Sequence, residues 1–423
     1  MIYWALLLHI YQPPFQKLEI LQKINEECYS KLFDVFLRYP TKFTLNINGS
    51  LTELFHQYKF LETINKIKEL AQKGKLRFTG SAMYHPILPF LPDSEIMRQI
   101  NLNEDYNERV LGSSYAKPKG FFPPEMAISE NILTIIEQLG YKWVIASGIA
   151  CPNNRDWPIH SYYTYKSLPI LFRDDIISNE ISFKRFTPLE ILSKIKTVFD
   201  NNYYIITAMD GETFGHHIKN YEEDFLGTIF EQLEGDEEEI QMIFIDDLLN
   251  LFKKEGEIVP INSSWSTTQK NLNNKNPYPL WNSLNNKIQE VQNYLRKIAI
   301  KLWNNLEKYS TQIPEDHQEF YNNARINLDK GENSDGTWWA SSFNFNEDII
   351  YRSTQFLVRS VVNAYKALFS IPLKHEEIIL IRHLYEDFKG NYANLFQLIG
   401  NKTEDKSRFK AYRRRIDDLD ALI

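Results

Sequence analysis

Short apolar runs alternate with amphipathic stretches through the first two-thirds of the chain, the pattern that β/α units make around a parallel sheet. Runs that read as strands lie at Ile2–His9, Phe43–Asn48, Leu76–Ser81, Lys119–Phe122, Trp143–Ala146, Leu168–Phe172, Tyr204–Met209 and Met242–Ile245. Between them, Leu61–Ala71, Glu95–Val110 and Ser129–Leu139 carry helical periodicity. Many of the strands end on, or run into, a polar or chemically capable residue: His9, Asn48, His85 just past its strand, Glu125, Arg173 and Asp210. In barrel enzymes that end of the strands carries the chemistry. The recurrence predicts an α/β barrel with its site there.

The texture changes near Trp281. Ile288, Val291, Leu295, Ile298, Leu302 and Leu306 recur at spacings of three and four, the apolar face of one long helix. Ile350, Leu357, Val361, Ala364 and Leu368 repeat the pattern, and Glu376–Leu398 reads as helical too. Such faces bury one another, so residues 1–280 are expected to form the barrel and residues 281–423 a helical domain. Between the first two helices lies Glu332-Asn-Ser-Asp-Gly-Thr-Trp-Trp-Ala-Ser-Ser, a polar insertion with two tryptophans. The tail places Arg413-Arg-Arg beside Asp417 and Asp418, which reads as a solvated helix face.

At 423 residues the chain is too long for one small core, in agreement with two domains. A net charge of −7 argues against a nucleic-acid partner, which calls for a basic face. The opening apolar run lacks a basic leader and is cut short by His9 and Tyr11-Gln-Pro-Pro, so it predicts a buried strand and no membrane span. Cys28 and Cys151 cannot make a disulfide framework, and the expected compartment is the cytoplasm. Aromatic residues reach 14%, which serves a large core and also a groove that stacks sugar rings.

Two stretches carry candidate chemistry. Gly120-Phe-Phe-Pro-Pro-Glu-Met presents one carboxylate, Glu125, just past a strand on a backbone stiffened by two prolines. A glutamate so placed can also serve a helix N-terminus. Ala208-Met-Asp-Gly-Glu-Thr-Phe-Gly-His-His runs a strand into Asp210, Glu212, His216 and His217, with glycines that let the backbone turn. An ordinary strand-end turn would look similar. Together the two loops offer the pair of carboxyls that glycoside cleavage requires. A metal held by His9, His85, His216 and His217 is the rival arrangement, but no HxxxH or HExxH spacing supports it. No G-x-S-x-G elbow points to a nucleophilic serine.

These motifs resemble glycoside hydrolase family 57. The family's His-x-His-Gln-Pro resembles His9-Ile-Tyr-Gln12-Pro13, and its His-Pro-Ile-Leu-Pro string resembles His85-Pro-Ile-Leu-Pro89. An aromatic-x-Pro-Glu turn resembles Phe122-Pro-Pro-Glu125, Asp-Gly-Glu-x-x-Gly-His resembles Asp210-Gly-Glu212-Thr-Phe-Gly-His216, and Ser-Asp-x-x-Trp-Trp resembles Ser334-Asp335-Gly-Thr-Trp338-Trp339. The five strings occur in family order over residues 9 to 339. Two positions depart: Tyr11 stands in place of the second histidine, and Arg77 in place of a common glutamate; both are expected near the sugar subsites.

The resemblance implies an incomplete (β/α)7 barrel followed by a C-terminal α-helical bundle that contributes to the cleft. It implies α-glucan or maltooligosaccharide substrates, a retaining mechanism, and neither cofactor nor metal. Glu125 is then the nucleophile and Asp210 the acid/base, while His9, Gln12, His85, Glu212, His216, Asp335, Trp338 and Trp339 contact sugar. Trp265, Trp281 and Tyr84 are weaker candidates for the groove. Hydrolysis, 4-α-glucan transfer and branching stay open, as do a non-catalytic glucan-binding protein and a metal-dependent carbohydrate deacetylase. Oligomeric state is left open by the sequence.

Overall fold

The computed structural model describes residues 1–152, 157–197, 202–234, 239–342 and 344–402. Contacts divide the chain into two compact units, Met1–Pro277 and Tyr278–Ile423. The tail with Arg413-Arg-Arg lies outside the described residues. Among those described, no helix is long and apolar enough to cross a membrane.

The first unit is built on strands β1 (Ile2–Ile10), β2 (Phe43–Ile47), β3 (Leu76–Gly80), β4 (Gly120–Phe121), β5 (Trp143–Ser147), β6 (Ser161–Tyr165), β7 (Leu168–Arg173), β8 (Tyr203–Asp210), β9 (Ile240–Ile243) and β10 (Lys253–Glu257). Seven of them run parallel in the order β8-β1-β2-β3-β4-β5-β7. Ladder pairing stops between β7 and β8, where the Asp174 N–H reaches the Ile206 carbonyl at 2.8 Å. The fold is therefore the incomplete (β/α)7 barrel. β1 is its hub. One edge pairs with β8 from Ile2 to His9, while the other is shared, Ile2–Ala5 with β9 and Leu7–Ile10 with β2.

Side chains alternate along each strand, and the alternation sorts the core into two layers. Trp4, Leu6, Leu8 and Ile10 of β1 join one buried cluster with helical residues such as Leu32, Phe33 and Phe36. Ala5 and Leu7 join the other, with Ile206 and Ala208 of β8 and Phe122. Each fully buried side chain of leucine or phenylalanine size contributes about 2–3 kcal/mol. His9 continues the second layer on β1, and Asp210 continues it on β8. Period two thus turns both toward the barrel interior at the strands' C-terminal ends.

All eight runs expected as strands contain strands, the last shifted to Ile240–Ile243, with Ile245 opening the helix that follows. β6 and β10 are additions at the margin, β6 antiparallel to β7 and β10 parallel to β6. β10 reads Lys-Lys-Glu-Gly-Glu, a charged edge strand with no apolar alternation to announce it.

The second unit is helical: Lys287–Glu307, Gln318–Gly331, Glu347–Leu368 and His375–Lys402, plus a short turn at Asp335–Trp338. Gln289 ties that turn down within the unit, donating to the Leu280 carbonyl at 2.7 Å and the Thr337 carbonyl at 2.8 Å. Trp281 is fully buried and serves packing.

Candidate active site

At the C-terminal ends of β1 and β8, strand register sets His9 opposite Asp210. The His9 Nδ1 meets Asn46 Oδ1 on neighbouring β2 at 2.6 Å, and Asn46 in turn donates to Thr79 Oγ1 on β3 at 2.9 Å. These are successive inward positions of three adjacent strands, so the barrel itself orients the imidazole.

Past β3 and β4 the chain makes two tight loops. His85 (φ 54°), Glu125 (φ 59°) and Met126 (φ 48°) all adopt left-handed backbone, which a non-glycine residue takes at a cost of about 1–2 kcal/mol. The Glu125 turn is closed by Met126 N–H to Pro123 O at 2.7 Å and Ala127 N–H to Pro124 O at 3.0 Å. Strain at this place aims a side chain. The two loops bring His85 Nδ1 to 3.8 Å from Glu125 Oε1.

Aromatic rings join these groups into one wall. His9 stacks between Phe122, with centroids 4.9 Å apart, and His85, at 5.0 Å. Tyr11 stacks on His85 at 4.2 Å and lies parallel to His9 at 6.4 Å. Trp265 stands edge-on to His9 and Phe122. It donates from Nε1 to Glu125 Oε2 at 2.7 Å and from its amide to the Glu125 carbonyl at 3.1 Å.

Glu212 follows Asp210 in the loop after β8. Its Oε1 accepts from the Tyr29 hydroxyl, from Gln12 Nε2 at 3.3 Å and from the Tyr11 amide at 3.4 Å. Tyr29 reaches it from a π-helical turn, Asn25–Tyr29, whose extra residue per turn also lets Cys28 Sγ donate to the Gly211 carbonyl at 3.3 Å. Gly215 holds φ 113°, and a Cβ there would meet the Glu27 carbonyl oxygen at 2.0 Å. Only glycine fits that approach.

The electrostatics follow from burial. Asp210 is pushed up to about 6, with the Arg173 guanidinium opposing the rise. Arg173 is itself buried, donating from Nε to the Ala208 carbonyl at 2.7 Å and pairing with Asp175 Oδ1 at 2.7 Å. Burial and then the Asp210 charge push Glu212 up to about 7, against the pull of the Tyr29 hydroxyl. His9 is held down at about 4 by burial despite Asn46, and His85 well below its ordinary value by burial and by His9. At neutral pH the wall therefore presents two neutral imidazoles beside two carboxyls that titrate within reach of neutrality.

The structure gathers His9, Gln12, His85, Glu125, Asp210, Glu212 and Trp265 in the first unit around these strand ends. His216 lies on the same loop but its Nδ1 pairs with Glu27 Oε2 at 2.8 Å, and Glu27 also pairs with Lys219. Asp335, Trp338 and Trp339 belong to the helical unit. There the two indoles meet edge to face at 4.8 Å, both partly exposed, and the Asp335 amide donates to Asn333 Oδ1 at 3.1 Å. Tyr84 is buried and its hydroxyl donates to Glu53 Oε2 at 3.2 Å, a packing role.

Of the two departures, Tyr11 is in the wall. Arg77 is not. It sits at the second residue of β3, at the opposite end of the strand, where it pairs with Asp247 at 2.9 Å and Asp246 at 3.4 Å. Asn46 and Tyr29 were not singled out in the sequence. The parity of β2 signals Asn46; nothing local signals Tyr29. Among the described residues, no group of three or more His, Cys, Asp or Glu side chains is placed to hold a metal ion.

Comparison with known proteins completes the description. The family model described as Glycosyl hydrolase family 57 matches residues 8–261. An α-amylase of Pyrococcus horikoshii is 22% identical over 279 residues, which cover 62% of this chain and 43% of that relative, so the chain spans under half of its length. The crystal structure of a 4-α-glucanotransferase from Thermococcus litoralis superposes with a TM-score of 0.65 at 17% identity, covering 88% of this chain and 60% of the other. A branching enzyme from Pyrococcus horikoshii superposes with a TM-score of 0.64 at 13% identity, covering 100% of this chain and 96% of the other. Both share the fold.

Proposed function

This chain belongs to glycosyl hydrolase family 57, and on that premise we propose that it cleaves or transfers α-linked glucan by double displacement, with Glu125 as nucleophile and Asp210 as acid/base. Glu125 attacks the anomeric carbon, forming a glycosyl ester as the bond to the departing oxygen breaks, and Asp210 gives that oxygen its proton. Asp210 then takes a proton from water or from an acceptor hydroxyl. The oxygen so activated attacks the same carbon, and Glu125 leaves as carboxylate.

The observation that carries this reading is the wall itself: Glu125 held by Trp265 beside His85, with Asp210 in register with His9. An acid near pH 6 keeps a proton to donate in mildly acidic to neutral solution. Neutral His9 and His85, Gln12 and Glu212 offer donors and acceptors to sugar hydroxyls, and His216 is proposed for the same role at the edge of the loop. Asp335, Trp338 and Trp339 are proposed as sugar contacts carried by the helical unit, indole faces being suited to the apolar face of a pyranose. The relatives' names, an α-amylase, a 4-α-glucanotransferase and a branching enzyme, support α-glucan as the substrate class. Cytoplasmic placement is supported by two buried cysteines that form no disulfide.

The test is incubation of the purified protein with maltooligosaccharides and separation of the products. Shorter sugars alone mean hydrolysis, longer ones transfer, and a new linkage branching. Glu125→Gln and Asp210→Asn should each abolish turnover; a parental rate in either variant rejects the assignment.

A further inference from the structure

Tyr29 is buried and has no part in the double displacement, yet its phenol ends on a carboxylate of the cleft. The bonds around it have a fixed sense. Gln16 Nε2 donates to Gln12 Oε1 at 2.7 Å, which turns the Gln12 amide nitrogen toward the Tyr29 oxygen at 3.0 Å and Glu212 Oε1 at 3.3 Å. The Tyr29 oxygen therefore accepts, and its own proton goes to Glu212 Oε1. Every hydrogen bond that reaches the Glu212 carboxyl from another described residue ends on that same oxygen.

We propose that Tyr29 is a positioning residue for Glu212: with Gln12 and the Tyr11 amide it fills Oε1 with donors, and leaves Oε2 to meet a sugar hydroxyl and to gain or lose the proton. The assignment of a sugar partner rests on the glucan reading above. An oxygen that already accepts three donors has no lone pair left for a proton of its own, so the carboxyl titrates at Oε2. The ionisable groups facing it are Tyr29 and Cys28 from the π-helical turn and Asp210 from the end of β8, with Arg173 acting on Asp210 from β7. Burial and the Asp210 charge disfavour the carboxylate, and the Tyr29 hydroxyl is the largest counterweight.

Tyr29→Phe keeps the ring and removes the donor. Infrared difference spectra taken across pH read the carbonyl band of a protonated buried carboxyl, and its loss in Glu212→Gln assigns it. The expected midpoint rises by about one pH unit in Tyr29→Phe, with the acidic limb of kcat/KM on maltooligosaccharides moving the same way. Gln12→Met, which removes the second side-chain donor, moves it less in the same direction and carries the test if Tyr29→Phe does not fold. Coincident midpoints in parent and variant overturn the positioning role. A parent that shows the expected midpoints but does not turn over maltooligosaccharides rejects the glucan reading alone.

Discussion

Trp265 holds Glu125 at two points, its indole N–H on the carboxylate at 2.7 Å and its amide N–H on the backbone carbonyl at 3.1 Å. One residue thus fixes both the side chain and the left-handed turn that presents it. A nucleophile, the role proposed for Glu125, must be held along one line of approach, and a partner 140 positions away in the chain supplies that constraint.

Trp265→Phe keeps the aromatic body and the amide and deletes the indole donor. A hydrogen bond to a charged group is worth about 1.5–3 kcal/mol, so kcat/KM should fall roughly 10- to 100-fold. The melting temperature should drop by only a few degrees. Steady-state rates on maltooligosaccharides and a thermal melt check both.

Asp210 predicts a dependence of stability on pH. Its carboxyl titrates at about 6 in the folded chain against an ordinary 3.8. A raised acid favours folding fully below its unfolded value, and that contribution is lost as pH rises through the folded one. Asp210→Asn carries no such loss. The variant should gain about 2–3 kcal/mol on the parent between pH 4 and 7, at the expense of turnover. Paired thermal melts across that window read the difference, and parallel curves would contradict it.

Gly215→Ala forces a Cβ into the Glu27 carbonyl at a φ of 113°. Neither the backbone angle nor the neighbouring backbone atom can give way cheaply. A loss of several kcal/mol is expected, seen as a large drop in denaturation midpoint or in yield of folded protein.

Arg77→Ala should leave kcat/KM unchanged. The residue is exposed, paired with Asp246 and Asp247 at the far end of the barrel from the wall. Its loss should lower stability by less than about 1 kcal/mol, measured by denaturant titration.

The barrel was legible because its strands are apolar on both faces, and a polar residue at the end of such a run stands out. His9, Glu125 and Asp210 are visible for that reason. The same rule fails for β10, whose charged residues pair at an edge, and for Gln318–Gly331, a helix whose buried face carries the Arg325–Asp329 pair at 2.7 Å. It fails again at Tyr29, where a single widened helical turn decides what the side chain reaches. Arg77 shows the reverse error. Standing in place of a family glutamate, it was expected near the sugar subsites, but it lies three residues before the end of β3 and at the other mouth.

The shared edge of β1 has a bearing on how the chain is made. Residues 7–10 can pair with β2 soon after both leave the ribosome, but residues 2–5 wait for β8 and β9, some two hundred residues downstream. At synthesis rates of roughly 5–20 residues per second, the most apolar segment of the chain stays half-partnered for about ten seconds or longer. The nascent chain must survive that interval with Trp4-Ala-Leu-Leu-Leu8 uncovered, so the same hub that organises the finished barrel is where assembly is most exposed to aggregation and to chaperone capture.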